Sequence, residues 1–211
     1  MKKLSYLSFI AITLLTINLS YGQDTTDMSY SKFSFIAQGG IGFAKVENDN
    51  QANYDLNVNT GEFLLNYRFN EKFGVFTGVA LTEFSGSGFN EESVFYHERS
   101  VLKIPLGISS TYQLSDKIKS IMSIGAFAQT VTSDEYRYFD RTVSDLYEGW
   151  TFGLQFNLGM TYKFNKTYSV GIIFSGQSDL SKLETTNNAS FNDEQKITGL
   201  NTLGFLFIWD L

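Results

Sequence analysis

The chain holds a single histidine, His97, in the stretch Ser93-Val94-Phe95-Tyr96-His97-Glu98-Arg99-Ser100. A histidine can act as the general base of acyl transfer when a serine supplies the nucleophile and a carboxylate orients the ring. Ser133-Asp134 and Ser144-Asp145 could complete such a triad, making Asp134 and Asp145 the candidate orienting carboxylates. One histidine beside two generic Ser-Asp pairs matches that pattern poorly. The competing reading is a structural histidine packed beside Tyr96, with no catalytic residue anywhere. Glu91-Glu92 and Asp134-Glu135 offer hard oxygen ligands for Ca²⁺ or Mg²⁺. The spacing of a calcium loop is absent, however, so a solvated acidic rim is expected. With one His and no Cys, neither a histidine cage nor a thiolate centre can form. Gly39-Gly40-Ile41-Gly42 lacks the Gly-Lys-Ser/Thr ending of a phosphate loop. No metal and no cofactor is expected.

These residues sit in a chain of 211 residues with a net charge of −6, 20 Phe, 12 Tyr, 18 Gly and one Pro. The acidic balance argues against nucleic acid, which needs a basic face. Aromatic residues make up 16% and charged residues only 18%, too apolar for disorder and too poor in helix formers for a bundle. Met1-Lys2-Lys3, an apolar run from Leu4 to Leu19 and Ser20-Tyr21-Gly22-Gln23 have the anatomy of a secretory signal peptide. The expected organisation is a cleaved segment 1–22, a short N-terminal segment 23–32 and one β domain over 33–211.

A repeat organises that domain. Asn66-Tyr67-Arg68-Phe69-Asn70-Glu71-Lys72-Phe73 returns as Thr161-Tyr162-Lys163-Phe164-Asn165-Lys166-Thr167-Tyr168, and more weakly as Thr111-Tyr112-Gln113-Leu114-Ser115-Asp116-Lys117-Ile118. In each copy an alternating segment ends at three polar residues and another begins, which predicts a tight hairpin. Eight strands follow, at about 33–44, 62–69, 73–82, 101–114, 118–129, 149–164, 168–177 and 199–209. Between them, short turns alternate with long polar connections at 45–61, 83–100, 130–148 and 178–198. Such an alternation gathers all the long connections at one end of an up-and-down meander. Those four carry sixteen carboxylates against six basic side chains.

Period-2 alternation assigns two faces to each strand. One face collects thirty-five large apolar residues, most plainly in Trp150, Phe152, Leu154, Phe156, Leu158, Met160, Tyr162 and Phe164. The other carries Gly, Ser, Thr, Gln and Asn. An eight-stranded barrel has room inside for only small and medium side chains, so the bulky face must point outward. A belt of that size suits a bilayer, and only a closed barrel satisfies its backbone there. The predicted fold is therefore an all-β, eight-stranded antiparallel up-and-down transmembrane barrel. Glu62, Arg68, Lys103 and Lys163 fall on the inward face, where buried charges must pair; a lumen network of Glu62 with one or more of the bases is expected. Tyr67, Tyr112, Tyr162 and Tyr168 cluster at the short-turn end as an interfacial girdle would. Pro105 predicts a bulge or irregularity, since it cannot donate to a ladder.

The signal ending Tyr21-Gly22-Gln23, the stretch Lys103-Ile104-Pro105-Leu106-Gly107 and the closing Phe205-Leu206-Phe207-Ile208-Trp209 resemble small outer-membrane barrels of the OmpA/OmpX type and, more closely, the PorT-like barrel domain of Bacteroidetes. The resemblance implies residence in the Gram-negative outer membrane, among lipid and lipopolysaccharide. It also implies that the assembly machinery reads the last strand through Phe205, Phe207 and Trp209, although this chain ends Asp210-Leu211. The function expected on this basis is non-enzymatic: an envelope or partner-binding role through four acidic extracellular loops, with a protein partner there, or an accessory role in secretion. Two alternatives stand beside it. One is a lipid acyltransferase using His97, as in the palmitoyltransferase of similar fold; the other is a soluble lipocalin-like carrier.

Overall fold

A computed structural model describes residues 30–90, 93–186 and 193–211. The predicted segment 1–22, most of 23–32 and Glu91-Glu92 lie outside the described residues. Among the described residues eleven strands follow one another: β1 (Phe33–Asn48), β2 (Tyr54–Arg68), β3 (Phe73–Phe89), β4 (Val94–Gln113), β5 (Ile118–Arg137), β6 (Thr142–Ser144), β7 (Tyr147–Glu148), β8 (Trp150–Lys163), β9 (Tyr168–Asp179), β10 (Leu183–Thr185) and β11 (Glu194–Asp210). Eight are long, and each pairs antiparallel with its neighbour in the order β1-β2-β3-β4-β5-β8-β9-β11. β11 then returns to β1, from Ser34 opposite Asp210 to Asn48 opposite Gln195, closing the barrel and leaving no long edge exposed.

The repeat has a direct structural cause. Asn70 Oδ1 accepts the backbone N–H groups of Lys72 and Phe73, each at 2.8 Å, and Asn165 Oδ1 accepts those of Thr167 and Tyr168 at the same distance. Ser115 Oγ accepts the Ile118 N–H at 3.2 Å in the third copy. One side-chain acceptor thus satisfies the donors of each tight turn.

The bulky face points outward on every long strand. Phe35, Ile41, Phe43, Phe63, Leu81, Leu106, Phe152, Phe174 and Phe205 are all exposed. The interior is stacked in layers rather than uniformly polar. At the short-turn end lie Arg68, Asp210, Asn66 and Ser109, and beyond them an apolar cluster of Ile36, Leu64, Phe76, Ile173, Leu206 and Ile208. Next come the buried Gln129, Lys103, Glu62, Gln155 and Asn157. Gly107 and Gly125 face one another across β4 and β5, and a Cβ on Gly107 would come within 2.7 Å of the Phe76 ring. Glycine there leaves the space that a lumen phenylalanine takes.

The strands run further than expected. Most of 45–61, 83–100 and 130–148, predicted as long connections, is strand, and the β1–β2 and β3–β4 links shrink to residues 49–53 and 90–93. Alternation persists there with its polarity inverted. Lys45, Glu47, Glu83, Glu98 and Glu135 replace the outward apolar residues, while Val46, Tyr54, Leu56, Val58, Phe84, Phe95 and Ile197 pack inward as a second core. The outward apolar stripe ends, but the strands do not. This extended end is built as a water-soluble barrel is built.

Two bulges sit where the inversion occurs. Register slips between Ser100 and Val101 on the β4–β5 ladder, where Thr132 is the extra residue, and between Phe43 and Lys45 on the β1–β11 ladder. On β11 the extra residue falls at Gly199, whose φ of 56° favours glycine. A bulge moves every later side chain to the other face. Below the slips Gln129 of β5 and Leu206 of β11 face inward; above them the inward residues are Asp134, Tyr136, Gln195 and Ile197. Pro105 makes no bulge. The β3–β4 register is unchanged on either side of it, and the ladder lacks pairs at Ile104 and Pro105, whose carbonyl accepts the Thr77 hydroxyl at 2.9 Å.

Gly199→Val should destabilise the barrel by about 1–2 kcal/mol, the cost of a left-handed β-branched residue. Gly61→Ala, at a position where a Cβ meets nothing within 4 Å, should change stability by less than about 0.5 kcal/mol. Urea unfolding of the refolded protein in lipid vesicles measures both.

Candidate functional site

The site lies inside the extended end, above the apolar belt. β2 supplies Tyr54, β4 supplies His97 and Arg99, β5 supplies Asp134 and Tyr136, β7 supplies Tyr147 and β11 supplies Gln195. The side chains of His97, Arg99 and Asp134 are 0% exposed. His97 Nε2 lies 2.8 Å from Asp134 Oδ1, which also accepts the Arg99 Nε–H at 2.8 Å. Asp134 Oδ2 accepts the Tyr147 backbone N–H at 3.3 Å. A carboxylate can only accept, so His97 donates through Nε2 and its Nδ1 is the acceptor. The Tyr54 hydroxyl, 2.9 Å away, is then the donor to Nδ1. Gln195 Nε2 donates to the hydroxyls of Tyr54 at 3.3 Å and Tyr136 at 3.4 Å, and to Asn48 Oδ1 at 2.7 Å. The His97 ring stacks on Tyr136 with centroids 4.1 Å apart, and the Arg99 guanidinium stands 5.3 Å over Tyr147.

Electrostatics fix the charge states. Burial pushes the His97 imidazole down to about 4, and the Asp134 hydrogen bond offsets this only in part, so the ring is neutral. Burial pushes the Asp134 carboxyl up, but the Arg99 charge and the His97 hydrogen bond outweigh it and hold the group at about 2. Burial raises the Tyr54 phenol to about 12, and raises Tyr136 and Tyr147 as well. The result is one buried ion pair, Arg99 with Asp134, wrapped by neutral donors and acceptors.

Of the acyl-transfer candidates, the structure brings together His97 and Asp134 and separates the rest. Ser133 lies in the β-bulge region and is exposed; Ser144 and Asp145 are exposed as well. Asp145 meets the site only through its backbone N–H, which bonds the Asp134 carbonyl at 2.8 Å. Both ring nitrogens of His97 are engaged, and neither partner is a serine. Tyr54, Arg99, Tyr136, Tyr147 and Gln195 went unread in the sequence. The alternations Tyr54-x-Leu56-x-Val58 and Phe95-x-His97-x-Arg99-x-Val101 carried the signal for the first two.

The expected lumen network divides. Lys103 pairs with Glu62 and donates to Gln177 Oε1 at 2.8 Å, while Gln38 Nε2 donates to Glu62 Oε2 at 2.7 Å. Arg68 pairs instead with Asp210 at 2.8 Å. Lys163, half-buried at the short-turn end, joins neither pair. Two lumen cavities are about 20 Å³ each, room for a water molecule apiece. On the outer surface Tyr67 stands 5.0 Å from Phe33, Tyr162 5.4 Å from Phe164 and Tyr168 5.7 Å from Phe207, with Tyr112 under the Lys72 ammonium at 5.8 Å. Trp209 packs between Phe35 and Tyr168, while Phe205 is 79% exposed.

Residues 9–200 match the family model of the outer membrane protein beta-barrel domain. Among solved structures, OprG from Pseudomonas aeruginosa is 12% identical, with a TM-score of 0.54 over 87% of this chain and 99% of that one. Neisserial surface protein A is 10% identical, with a TM-score of 0.53 over 87% of this chain and all of that one. At these identities the likeness is one of fold. No curated protein sequence matches the chain.

Asp134→Ala should cost about 3–5 kcal/mol, because it strands the Arg99 charge in a dry interior. Acid should loosen the same region. The unfolded chain takes up a proton on His97 near pH 6.5, whereas the folded chain refuses it down to about 4. Stability is therefore full above pH 6.5 and falls as pH drops toward 4. Asp134, held at about 2 against 3.8, adds its loss below 3.8. Urea midpoints between pH 7 and 4 should decline in the wild type and decline less in His97→Gln.

Proposed function

Taking as premise that this chain belongs to the outer-membrane β-barrel family and resides in the Gram-negative outer membrane, we propose that it catalyses no reaction and docks a protein partner on its rigid extracellular end. The observation that carries this reading is an apolar patch far above the belt, in a zone where outward side chains are otherwise polar. Phe139, at the tip beyond β5, is fully exposed, and Phe89, Val94 and Tyr96 around the β3–β4 tip are exposed too. Asn90 Nδ2 donates to the Tyr138 hydroxyl at 3.1 Å, joining the two tips into one surface. Arg137 and Arg141 lie over Tyr96 and Tyr138 at 5.7 and 5.1 Å. Exposed aromatic residues flanked by arginine are the usual composition of a protein-binding centre.

The buried ion pair supports the patch by fixing β4 against β5, so that the tips are held in place before a partner arrives. His97 in this reading is a structural residue. The carboxylate excess of the extended end, over 45–61, 83–100, 130–148 and 178–198, favours a partner with basic groups around its apolar contact. Support of a secretion apparatus is the form of this role that the resemblance to PorT-like barrels suggests.

A photo-crosslinking residue at position 139, with others at 89 and 94, tests the reading in intact cells. Adducts with one protein at all three positions, lost when Val94→Asp is added to the probe at 139, are expected. Absence of any adduct above that of a probe at the lipid-facing Phe156 would defeat it. His97→Ala should leave lipid A acylation unchanged; a lost acyl chain would restore the enzyme alternative.

A further inference from the structure

The short-turn end of the lumen carries more positive charge than it balances. Four ionisable side chains face inward there: Arg68 on β2, Lys119 on β5, Lys163 on β8 and Asp210 on β11. Asp210 is committed to Arg68 at 2.8 Å. Lys119 lies within electrostatic range of Arg68, Lys163 and Asp210, and among the described residues neither lysine side chain makes an ion pair. The remaining strands add only neutral groups at this level: Ser34, Asn66, Ser109, Thr111 and Ser169. The concentration of cations is the reverse of the chain as a whole, which is acidic.

Arg68, Lys119 and Asp210 line a cavity of about 20 Å³ together with Thr161, and Lys163 lies two residues beyond Thr161 on β8, outside that lining. Two buried atoms of its lining residues, Arg68 Nε and Thr161 Oγ1, have no hydrogen-bond partner within the protein. The Arg68 side chain is 8% exposed and Thr161 is 1% exposed. Buried donors without partners are costly, and the half-buried Lys119 and Lys163 hold two charges near Arg68 without a counterion of their own. A water molecule would satisfy the first cost but not the second. A monoatomic anion satisfies both, because it accepts from Nε–H and O–H together and offsets the lysines.

We propose that this cavity is a binding site for one halide-sized anion, held by Arg68 Nε and Thr161 Oγ1 and balanced by Lys119 and Lys163. Chloride is the occupant in ordinary media. The space of about 20 Å³ suits a single monoatomic ion better than a tetrahedral oxyanion. The anion then keeps the lower lumen closed and charge-balanced beneath the Lys103–Glu62 layer.

The test is the ³⁵Cl NMR line width of the refolded full chain in a non-ionic detergent, with empty micelles as blank. The wild type should broaden the line, and excess bromide should remove the broadening while sulfate at equal ionic strength should not. The double variant Lys119→Gln with Lys163→Gln should lose the broadening, and Lys72→Gln with Lys117→Gln in the adjoining turns should keep it. Heat-dependent gel migration shows that each variant has folded. Crystals grown in bromide should give an anomalous peak beside Arg68 Nε. Broadening unchanged in the lumen double variant, lost in the turn variant or displaced by sulfate would overturn the proposal, as would absence of the bromide peak.

Discussion

Closure of β11 onto β1 is the constraint from which the rest of this structure follows. In a hydrocarbon layer no water is available for backbone N–H and C=O groups, so each must find its partner across a strand pair. The ladder from Ser34–Asp210 to Asn48–Gln195 removes what would otherwise be two long open edges. Once the sheet is closed, every strand has an inside and an outside, and alternation becomes binding on the whole chain. Along the belt most large aromatic residues go outward, because the tube has room for only a few such as Phe76 and Phe127. Inside, polar and apolar layers stack, with gaps of about 20 Å³ among them.

The same closed ladder continues beyond the belt into water, where the partition must reverse. Lys45, Glu83 and Glu135 face out there, and Val46, Phe84 and Phe95 face in. Two strands make the change by slipping register, at Thr132 and at Gly199. The slip in β5 is what turns Asp134 toward His97 and Arg99; without the extra residue its carboxylate would face solvent. A local backbone irregularity therefore creates the buried ion pair.

That pair is weak as a source of net stability, since desolvating two charges offsets most of their attraction. Its value is specificity. Arg99, Asp134, His97, Tyr54 and Gln195 come from four strands and satisfy one another in a single arrangement. Neutral His97 fits because one nitrogen donates and the other accepts; a protonated ring would have no use for the Tyr54 hydroxyl as a donor. The extended end is thereby cross-linked between β2, β4, β5 and β11, below the tip that carries Phe139.

Hydrophobic alternation and the thrice-repeated polar turn determined the strand number, the meander, the outward belt and the inward position of Glu62, Arg68, Lys103 and Lys163. They did so because a side chain's face depends only on its place in a period of two. Alternation read for greasy outward residues lost the strands where the solvent changed, so Tyr54, Phe95 and Arg99 passed for loop. Partner choice lay beyond the sequence altogether. Which base meets Glu62 depends on the stagger of strands far apart in the chain, and that stagger gave Glu62 to Lys103 and Arg68 to Asp210. The meeting of His97 with Asp134 likewise needed a bulge, and a bulge is decided by neighbouring strands rather than by the residues that form it.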